Sequence, residues 1–261
     1  MSEFSEMSDD QLWEVAGLQN KNDRAEALFE LGTRFASVSN WNRAEDLFLE
    51  SQTLAFAIGE TLLGGRAAYS LGLTYNNQKN FESAADQFQL AADTYQMCGR
   101  FAWQGDAIYQ LAIALAELDN SEMALLNYQF ASDLYSSEEL AFHEAKALSA
   151  KGELLGYLGR QSQALEAFQL SRAKYAEEND GFSAAKTLDR VGAALMDLGR
   201  VREATEAFQQ AKDTMEYLEA GLDLTYAKHR LGEGLKTLGE YEAAIEVLTE
   251  SAAEYKEAKD R

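Results

Sequence analysis

The stretch AKTLDRVGAALMDLGRVREATEAFQQAKDTMEYLEAGLDL, residues 185–224, contains two apolar stripes separated by a short break. The first stripe comprises Leu188, Val191, Leu195 and Leu198, and the second comprises Ala204, Phe208, Ala211, Met215 and Leu218. Residues three and four apart share one face of an α-helix, so each stripe predicts an amphipathic helix. Gly199-Arg200 lies between the stripes, and glycine is typical of a helix end. The stretch therefore predicts two helices joined by a tight turn.

The same pattern recurs every 40 residues, six times in all. A small residue returns at Gly32, Gly72, Ala112, Gly152, Gly192 and Gly232, and alanine at Ala44, Ala84, Ala124, Ala164, Ala204 and Ala244. A large apolar residue returns at Phe48, Phe88, Tyr128, Phe168, Phe208 and Leu248. The turn falls at Ser39, Lys79, Asp119, Gly159, Gly199 and Gly239, where we expect positive φ or helix capping. We expect the small residue to let the paired helix backbones approach closely. Such a period indicates an array of helix-turn-helix units.

The pattern of residues at equivalent positions of the repeats resembles the tetratricopeptide repeat. In the first repeat these positions hold Leu28, Leu31, Gly32, Phe35, Trp41, Ala44, Phe48 and Ser51, and in the second they hold Ala68, Leu71, Gly72, Tyr75, Phe81, Ala84, Phe88 and Ala91. The resemblance implies an all-α fold, a right-handed α-solenoid of six helix-turn-helix repeats. Two features depart from the family: the period exceeds the usual 34 residues, and the chain has no proline to end the second helix. In this it resembles the extended repeats of peptide-binding adaptors and signalling scaffolds.

We expect one continuous repeat domain preceded by a capping helix. The cap spans 1–24, and the repeats span 25–64, 65–104, 105–144, 145–184, 185–224 and 225–261. Ser8 and Gln11 have capping-box spacing, and the apolar face that follows comprises Leu12, Trp13, Val15, Ala16 and Leu18. The last helix, near 241–258, carries Ile245, Val247, Ala252 and Tyr255, which leave room for pairing with another copy of the chain.

The net charge and the composition limit the classes of partner and the cellular location that we expect. The formal net charge of −21 disfavours nucleic acid and anionic membranes as partners, since both would be repelled. It leaves two interpretations: solubility, or an acidic surface for a basic partner. The single cysteine, the lack of a signal-peptide pattern and the lack of an apolar run of membrane-spanning length lead us to expect a cytoplasmic location.

We predict that the chain is not an enzyme and uses no cofactor or metal. Its two histidines, His143 and His229, lack ligands at metal-binding spacing. The sequence contains no Gly-rich phosphate loop and no nucleophile motif.

The family resemblance implies that the first helix of each repeat lines a concave groove. In the first three repeats the candidate partner-binding residues are Phe29, Tyr69, Leu73, Asn76, Asn77, Tyr109 and Ile113. Phe29, Tyr69 and Tyr109 share one slot, and such a ladder suits a peptide or helix with apolar anchors. The alternative is that these rings pack against neighbouring helices.

The last three repeats place a more basic set in the same slots: Lys146, Tyr157, Lys186, Arg190, Tyr226, His229, Arg230 and Lys236. Lys186 and Arg190 are one helical turn apart and suit a carboxylate or an acidic peptide. The alternative is pairing within the groove with Glu153, Asp189 and Glu233. The chain lacks the lysine and asparagine with which the family clamps the C-terminal carboxylate of heat-shock chaperones, so we expect no such role.

The function predicted from these residues is a protein-interaction scaffold or adaptor that binds a peptide or helix of another protein in the groove. One alternative is a structural assembly protein that self-associates, through the C-terminal repeat, or docks into a larger complex. Another is an acidic inhibitor that presents its convex face to the basic surface of a nucleic-acid-handling enzyme.

Overall fold

The computed structural model describes residues 3–17 and 20–259, and within them it contains thirteen α-helices and one short 3-10 helix, Glu3–Glu6. The chain divides into two compact units, residues 1–138 and 139–261. The α-helices of unit 1 are α1 (Asp9–Ala16), α2 (Lys21–Ser37), α3 (Trp41–Ile58), α4 (Thr61–Asn77), α5 (Phe81–Met97), α6 (Phe101–Glu117) and α7 (Ser121–Ser137). Those of unit 2 are α8 (Ala141–Tyr157), α9 (Gln161–Glu177), α10 (Gly181–Asp197), α11 (Val201–Tyr217), α12 (Leu222–Leu238) and α13 (Tyr241–Lys259). The all-α fold of helix-turn-helix repeats predicted from the period is confirmed.

Within each unit, every helix packs against the next one along the chain. In unit 1 this order runs from α1 to α7, and in unit 2 from α8 to α13. The apolar stripes supply the cores, and Phe48, Phe88 and Phe208 are among the most deeply buried side chains. The first helices of the repeats are α2, α4 and α6 in unit 1 and α8, α10 and α12 in unit 2. We call the surface shared by α2, α4 and α6 the first-helix face.

The turns adopt the expected backbone conformation. Ser39, Lys79 and Asp119 have φ of 59°, 60° and 58°, and Gly159, Gly199 and Gly239 have φ of 73°, 73° and 86°. Positive φ lets the chain reverse within two residues after a helix end. The links between repeats use the same device, since Gly59 and Gly99 also have positive φ.

In the five repeats that have glycine at the small-residue position, the structural reason for the glycine differs from the one expected. We expected it to admit the backbone of the paired helix, but the close neighbour is a side chain. A Cβ at Gly192 would lie 2.5 Å from Phe208 Cε1, and a Cβ at Gly152 would lie 2.6 Å from Phe168 Cε1. The large residue of the second helix therefore rests directly on the glycine, and the two repeat positions form one packing unit.

A second tie within the helix pair connects a serine hydroxyl to a carbonyl of the first helix. Ser51 Oγ donates a hydrogen bond to the Ala25 carbonyl oxygen at 2.7 Å, and Ser171 Oγ does the same to Ala145 at 2.7 Å. Ser251 Oγ repeats the contact with the Thr225 carbonyl at 3.0 Å. These serines are buried, so the hydrogen bond offsets the cost of removing the hydroxyl from water.

The N-terminal segment forms the expected capping box. The Ser8 backbone N–H donates to Gln11 Oε1 at 2.8 Å, and the Gln11 N–H donates to Ser8 Oγ at 3.3 Å. Leu12 is fully buried against α2, and Arg34 Nη1 contacts Asp9 Oδ1 at 2.6 Å. Leu18, which we assigned to the same apolar face, lies outside the described residues. None of the described helices has the length and apolarity needed to cross a membrane.

Candidate binding site on the first-helix face

A cavity of about 260 Å³ opens on the first-helix face of unit 1. We call it the Tyr69 cavity, and its lining residues are Phe29 of α2, Arg66, Tyr69 and Ser70 of α4, Tyr95 of α5, and Trp103 and Asp106 of α6. Three consecutive repeats thus contribute to one site. The cavity is mostly aromatic, with one guanidinium and one carboxylate on its wall.

The predicted aromatic ladder packs against the second helices. The rings of Phe29 and Phe48 have centroids 5.6 Å apart, those of Tyr69 and Phe88 5.8 Å, and those of Tyr109 and Tyr128 5.7 Å. This is the packing alternative named above. Phe29 and Tyr69 also border the Tyr69 cavity, whereas Tyr109 is not among its lining residues.

The two charged side chains of the cavity have different surroundings. Arg66 Cζ lies 4.4 Å from the centroid of the Phe29 ring, and Arg66 Nη1 lies 3.7 Å from Glu26 Oε1. Asp106 Oδ1 accepts a hydrogen bond of 2.7 Å from the Tyr135 hydroxyl. The Arg66 guanidinium therefore contacts both the Phe29 ring and the Glu26 carboxylate. The Asp106 carboxylate is hydrogen-bonded to the Tyr135 phenol.

Burial shifts the phenols around this site towards their neutral form. Desolvation by burial raises the pKa of Tyr69 to about 12, and the charge of Asp106 contributes in the same direction. Burial also raises the pKa of Tyr95 and of Tyr135, and the nearby Asp106 carboxylate adds to both shifts. The three hydroxyls therefore stay protonated at neutral pH and are available as hydrogen-bond donors.

The remaining predicted residues of the first three repeats have lesser contacts. Leu73 and Ile113 are half-buried, and Asn77 is exposed, with Nδ2 donating to the Leu73 carbonyl oxygen at 2.8 Å. Asn76 Oδ1 is buried without a hydrogen-bond partner among the described residues. None of these four lines the Tyr69 cavity.

In unit 2 the basic residues are paired with carboxylates, which is the second alternative named above. Arg190 Nη2 lies 2.5 Å from Glu153 Oε1, and Arg190 Nη1 donates to Ser149 Oγ at 2.7 Å. Arg230 Nε lies 3.7 Å from Asp189 Oδ2. Lys186 Nζ is 3.3 Å from Asp223 Oδ1, and Lys236 Nζ is 3.2 Å from Glu233 Oε2. Charges that we expected to meet an acidic partner are thus largely balanced within the unit.

A cavity of about 390 Å³ lies among these pairs, with Lys186, Asp189, Arg190, Met215, Asp223, Tyr226, Ala227 and Arg230 as its lining. We call it the Arg230 cavity. Asp189 Oδ1 and Arg230 Nε are both buried without a hydrogen-bond partner among the described residues. Burial raises the pKa of Asp189, although the nearby Arg230 and Arg190 act in the opposite direction.

The other predicted residues of unit 2 lie on exposed surface. Tyr157 is almost fully exposed at the end of α8, and Lys146 is exposed on the same helix. Tyr226 packs edge to face on Tyr255, with ring centroids 5.2 Å apart. His229 borders a separate cavity of about 240 Å³ beside Arg230 and Glu233. The structure therefore brings Lys186, Arg190, Tyr226 and Arg230 together around the Arg230 cavity. Lys146, Tyr157 and Lys236 lie outside the Arg230 cavity.

Two aromatic residues of the Tyr69 cavity, Tyr95 and Trp103, were not foreseen as binding residues. Tyr95 belongs to a second helix, and Trp103 lies in the first turn of α6; their rings meet edge to face, with centroids 5.5 Å apart. The inward slots were taken from first helices only, so a residue of the second helix was missed. The available signal was the aromatic at 95, which returns at Tyr135 and Tyr175.

No profile of a known protein family and no curated protein sequence matches this chain. Solved structures do. The signal transduction ATPase with a tetratricopeptide repeat sensor from Pyrococcus horikoshii superposes with a TM-score of 0.82 at 12% identity, covering 95% of this chain and 38% of that one. BtubC from P. vanneervenii has a TM-score of 0.69 at 16% identity, covering 82% of this chain and 89% of that one. YrrB, a TPR protein with an unusual peptide-binding site, has a TM-score of 0.58 at 19% identity over 80% of this chain and 94% of its own. The chain thus has the fold of a tetratricopeptide-repeat array.

Proposed function

We propose that the chain is a non-enzymatic interaction scaffold that binds a peptide or a helical segment of another protein on the first-helix face of unit 1. The observation that carries this proposal is the Tyr69 cavity. It collects side chains of three successive repeats, including Phe29 and Tyr69 of the predicted ladder. Largely apolar cavities with a few polar groups are the usual form of binding sites.

Two structures of the same fold support a binding role, and one of them supports a peptide as the ligand class. One is a Rap protein in complex with the Competence and Sporulation Factor, which has a TM-score of 0.58 at 16% identity and covers 96% of this chain and 74% of that one. The other is YrrB, with its unusual peptide-binding site. YrrB indicates that repeat arrays of this kind accommodate peptides, and the Rap complex indicates that they bind another molecule.

Selection from a random-peptide display library on the immobilised full chain tests the proposal. Fluorescence anisotropy then gives the Kd of selected peptides for the wild-type chain, for Tyr69→Ala and for Tyr217→Ala. Tyr217 is an almost fully exposed tyrosine on α11 and serves as the matched control. We expect Tyr69→Ala to weaken binding at least about tenfold, as the loss of a central aromatic does, while Tyr217→Ala leaves the Kd unchanged. Circular dichroism checks that both variants fold. Selected peptides that bind Tyr69→Ala as well as wild type would refute the proposal.

The predicted encounter of an acidic segment with Lys186, Arg190 and Arg230 stays a prediction. Because these cations already have carboxylate partners, a ligand has to compete with those pairs. Lys186→Glu with Arg190→Glu is expected to weaken a selected acidic peptide, and an unchanged Kd would remove unit 2 from the binding surface.

A second candidate function, self-association through the last repeat, is favoured by one comparison between equivalent positions. Leu165 and Thr205 occupy the same slot as Ile245 in the two preceding repeats and are 6% and 7% exposed, whereas Ile245 is 66% exposed. In the fifth repeat this slot faces the following helix, since a Cβ at Gly234 of α12 would lie 2.7 Å from Thr205 Oγ1. The outer face of α13 thus exposes an apolar residue at a position that is buried in the two preceding repeats.

Sedimentation velocity of the full chain at two concentrations measures self-association directly. We expect a concentration-dependent dimer that Ile245→Glu abolishes and Leu49→Glu, a change at another exposed apolar residue, leaves intact. A wild-type chain that stays monomeric at both concentrations would eliminate this candidate.

A further inference from the structure

We infer that the Tyr69 cavity receives the cationic side chain, lysine or arginine, of a basic segment of the partner protein, with its charge next to Asp106. This inference rests on the proposed function, because it specifies what the scaffold recognises on the first-helix face. Three features carry it: the surroundings of Asp106, the aromatic walls, and the balance of charge at the site.

The carboxylate of Asp106 lies next to the phenols of Tyr135 and Tyr69. Its Oδ1 accepts the hydrogen bond from the Tyr135 hydroxyl at 2.7 Å, and its charge acts on the hydroxyl of Tyr69. Within residues 3–17 and 20–259, no lysine, arginine or histidine forms an ion pair with it. A half-buried carboxylate gains from a cation that supplies N–H donors, because charge-assisted hydrogen bonds are the strong ones.

The walls of the cavity suit the rest of such a side chain. Tyr69, Tyr95 and Trp103 border the space next to Asp106. The faces of aromatic rings attract cations within about 6 Å of the centroid. The methylenes of a lysine or arginine pack on the same rings, which is how these side chains combine burial with a charged end. Trp103 is 42% exposed, so the rim of the cavity is accessible from solvent.

The charge balance favours a cation over an anion. Arg66, the one basic residue of the wall, is stacked on Phe29 and faces Glu26, so its charge is already compensated. Two carboxylates, Glu26 and Asp106, thus stand against one guanidinium, and an acidic ligand group in the cavity would lie beside Asp106. The whole chain carries a formal charge of −21, which attracts a basic segment and repels an acidic one.

The tryptophans provide a direct probe of this site. The chain has three, Trp13, Trp41 and Trp103, and only Trp103 lines the Tyr69 cavity. In the full chain labelled with 5-fluorotryptophan, the three fluorine resonances are assigned by single Trp→Phe variants. The probes are acetylated and amidated Gly-Xaa-Gly peptides in which Xaa is arginine, lysine, citrulline or glutamate. Citrulline has nearly the shape of arginine without its charge.

We expect the arginine and lysine peptides to shift the Trp103 resonance while those of Trp13 and Trp41 stay in place. The citrulline and glutamate peptides are expected to leave all three unchanged. Asp106→Asn preserves the shape of the side chain and its acceptor oxygen for Tyr135, and it should weaken the arginine peptide about tenfold or more. Asp86→Asn, the same change at an exposed residue of α5 outside the cavity, should have no effect.

The inference is overturned if citrulline and arginine peptides shift Trp103 equally, or if neither basic peptide shifts it. The citrulline comparison uses the wild-type chain, so it does not depend on the folding of a variant. The proposed function fails separately. Display-selected peptides that require Tyr69 but show no preference for lysine or arginine would support the scaffold and reject the cation site. If basic peptides shift the Trp103 resonance but the selected peptides bind Tyr69→Ala as well as wild type, the cation site is supported and the scaffold proposal is rejected.

Discussion

Gly72 of α4 lies directly beneath the ring of Phe88 of α5. A Cβ at position 72 would lie 2.6 Å from both Cδ1 and Cε1 of that ring. Phe88 is fully buried between the helices of its repeat, so the ring has little room to move away. The glycine is therefore required by packing and not by backbone conformation, since it lies within a regular helix.

We expect Gly72→Val to destabilise unit 1 by about 2 kcal/mol or more, as overpacking of a close-packed core does. Gly72→Ala should cost less, because alanine gains helix propensity and already occupies the equivalent position 112 opposite Tyr128. Urea unfolding followed by circular dichroism gives both values. The control is Gly156→Val on α8, where a Cβ meets only ordinary contacts at 3.7 Å and beyond. Equal effects at positions 72 and 156 would contradict the packing explanation.

The last helix of the array is held by a buried lysine. Lys228 of α12 is 7% exposed, and its Nζ lies 2.6 Å from Glu254 Oε1 and 3.2 Å from Glu250 Oε2 of α13. Thr225 Oγ1 also donates to Glu254 Oε2 at 2.9 Å. We expect Lys228→Met to loosen α13 by about 1.5–3 kcal/mol, the usual value of hydrogen bonds to charged groups.

Hydrogen exchange of the α13 amides measures this effect locally. Lys212→Met is the matched control, because Lys212 pairs with Glu216 on the surface of a single helix at 2.7 Å. Such surface pairs contribute about 0.5 kcal/mol or less. Faster exchange in both variants to the same degree would show that the buried pair has no special role.

The contacts of Glu254 with Lys228 and Thr225 also make the stability of α13 depend on pH. Burial acts to raise the pKa of Glu254, but the hydrogen bonds from Lys228 and Thr225 outweigh it and hold the pKa below its usual value of 4.5. The unfolded chain therefore takes up a proton at a higher pH than the folded chain. This contribution to stability is complete above pH 4.5 and is lost as the pH falls through the folded pKa. We expect the protection of the α13 amides, taken as the intrinsic exchange rate relative to the observed rate at the same pH, to fall on acidification in wild type, with a weaker pH dependence in Glu254→Gln.

The features that the sequence predicts correctly are those set by the repeat period and by local chemistry. The helix pairs, the turns at positive φ and the capping box of Ser8 and Gln11 follow from local chemistry, and all are found. The glycine at 72 was assigned to backbone approach because the period does not say which atom lies opposite. The Tyr69 cavity was predicted only in part, since Tyr95 and Trp103 reach it from a second helix and from a helix start. Side-chain pairing such as Arg190 with Glu153 depends on distances that no spacing rule contains.

Alkaline pH provides a test of the phenols around the Tyr69 cavity. Burial raises the pKa of Tyr69 from 10.0 to about 12, so the unfolded chain loses this proton at a lower pH than the folded one. The stability that the buried neutral phenol provides is therefore present below pH 10 and is lost as the pH rises towards 12. Once the phenol is ionised in both states the loss is about 3 kcal/mol, because the pKa differs by about two units and each unit corresponds to about 1.4 kcal/mol.

Urea unfolding at pH 8 and pH 11 is expected to show a larger decrease in stability for wild type than for Tyr69→Phe. Tyr217→Phe removes an exposed phenol and should behave as wild type does. A decrease of the same size in Tyr69→Phe would place the alkaline transition elsewhere in the chain.

Burial disfavours the ionised form of Asp189, which lies on the wall of the Arg230 cavity. Burial raises its pKa more than Arg230 and Arg190 lower it, and its Oδ1 has no hydrogen-bond partner among the described residues. The ion pair with Arg230 is long, at 3.7 Å. Because the folded chain binds this proton more tightly than the unfolded chain, the charge costs stability once the pH exceeds the folded pKa.

We therefore expect Asp189→Asn to be neutral or to stabilise unit 2 by up to about 1 kcal/mol at pH 7, since a buried ion pair often contributes less than its desolvation costs. The advantage should shrink as the pH falls through the folded pKa, where the wild-type carboxyl is itself neutral. Asp86→Asn, at an exposed site, should show no such trend. Thermal unfolding at pH 4 and pH 7 separates the cases. Clear destabilisation by Asp189→Asn at pH 7 would mean that Arg230 compensates the buried charge after all, and that the carboxylate holds α10 and α12 together.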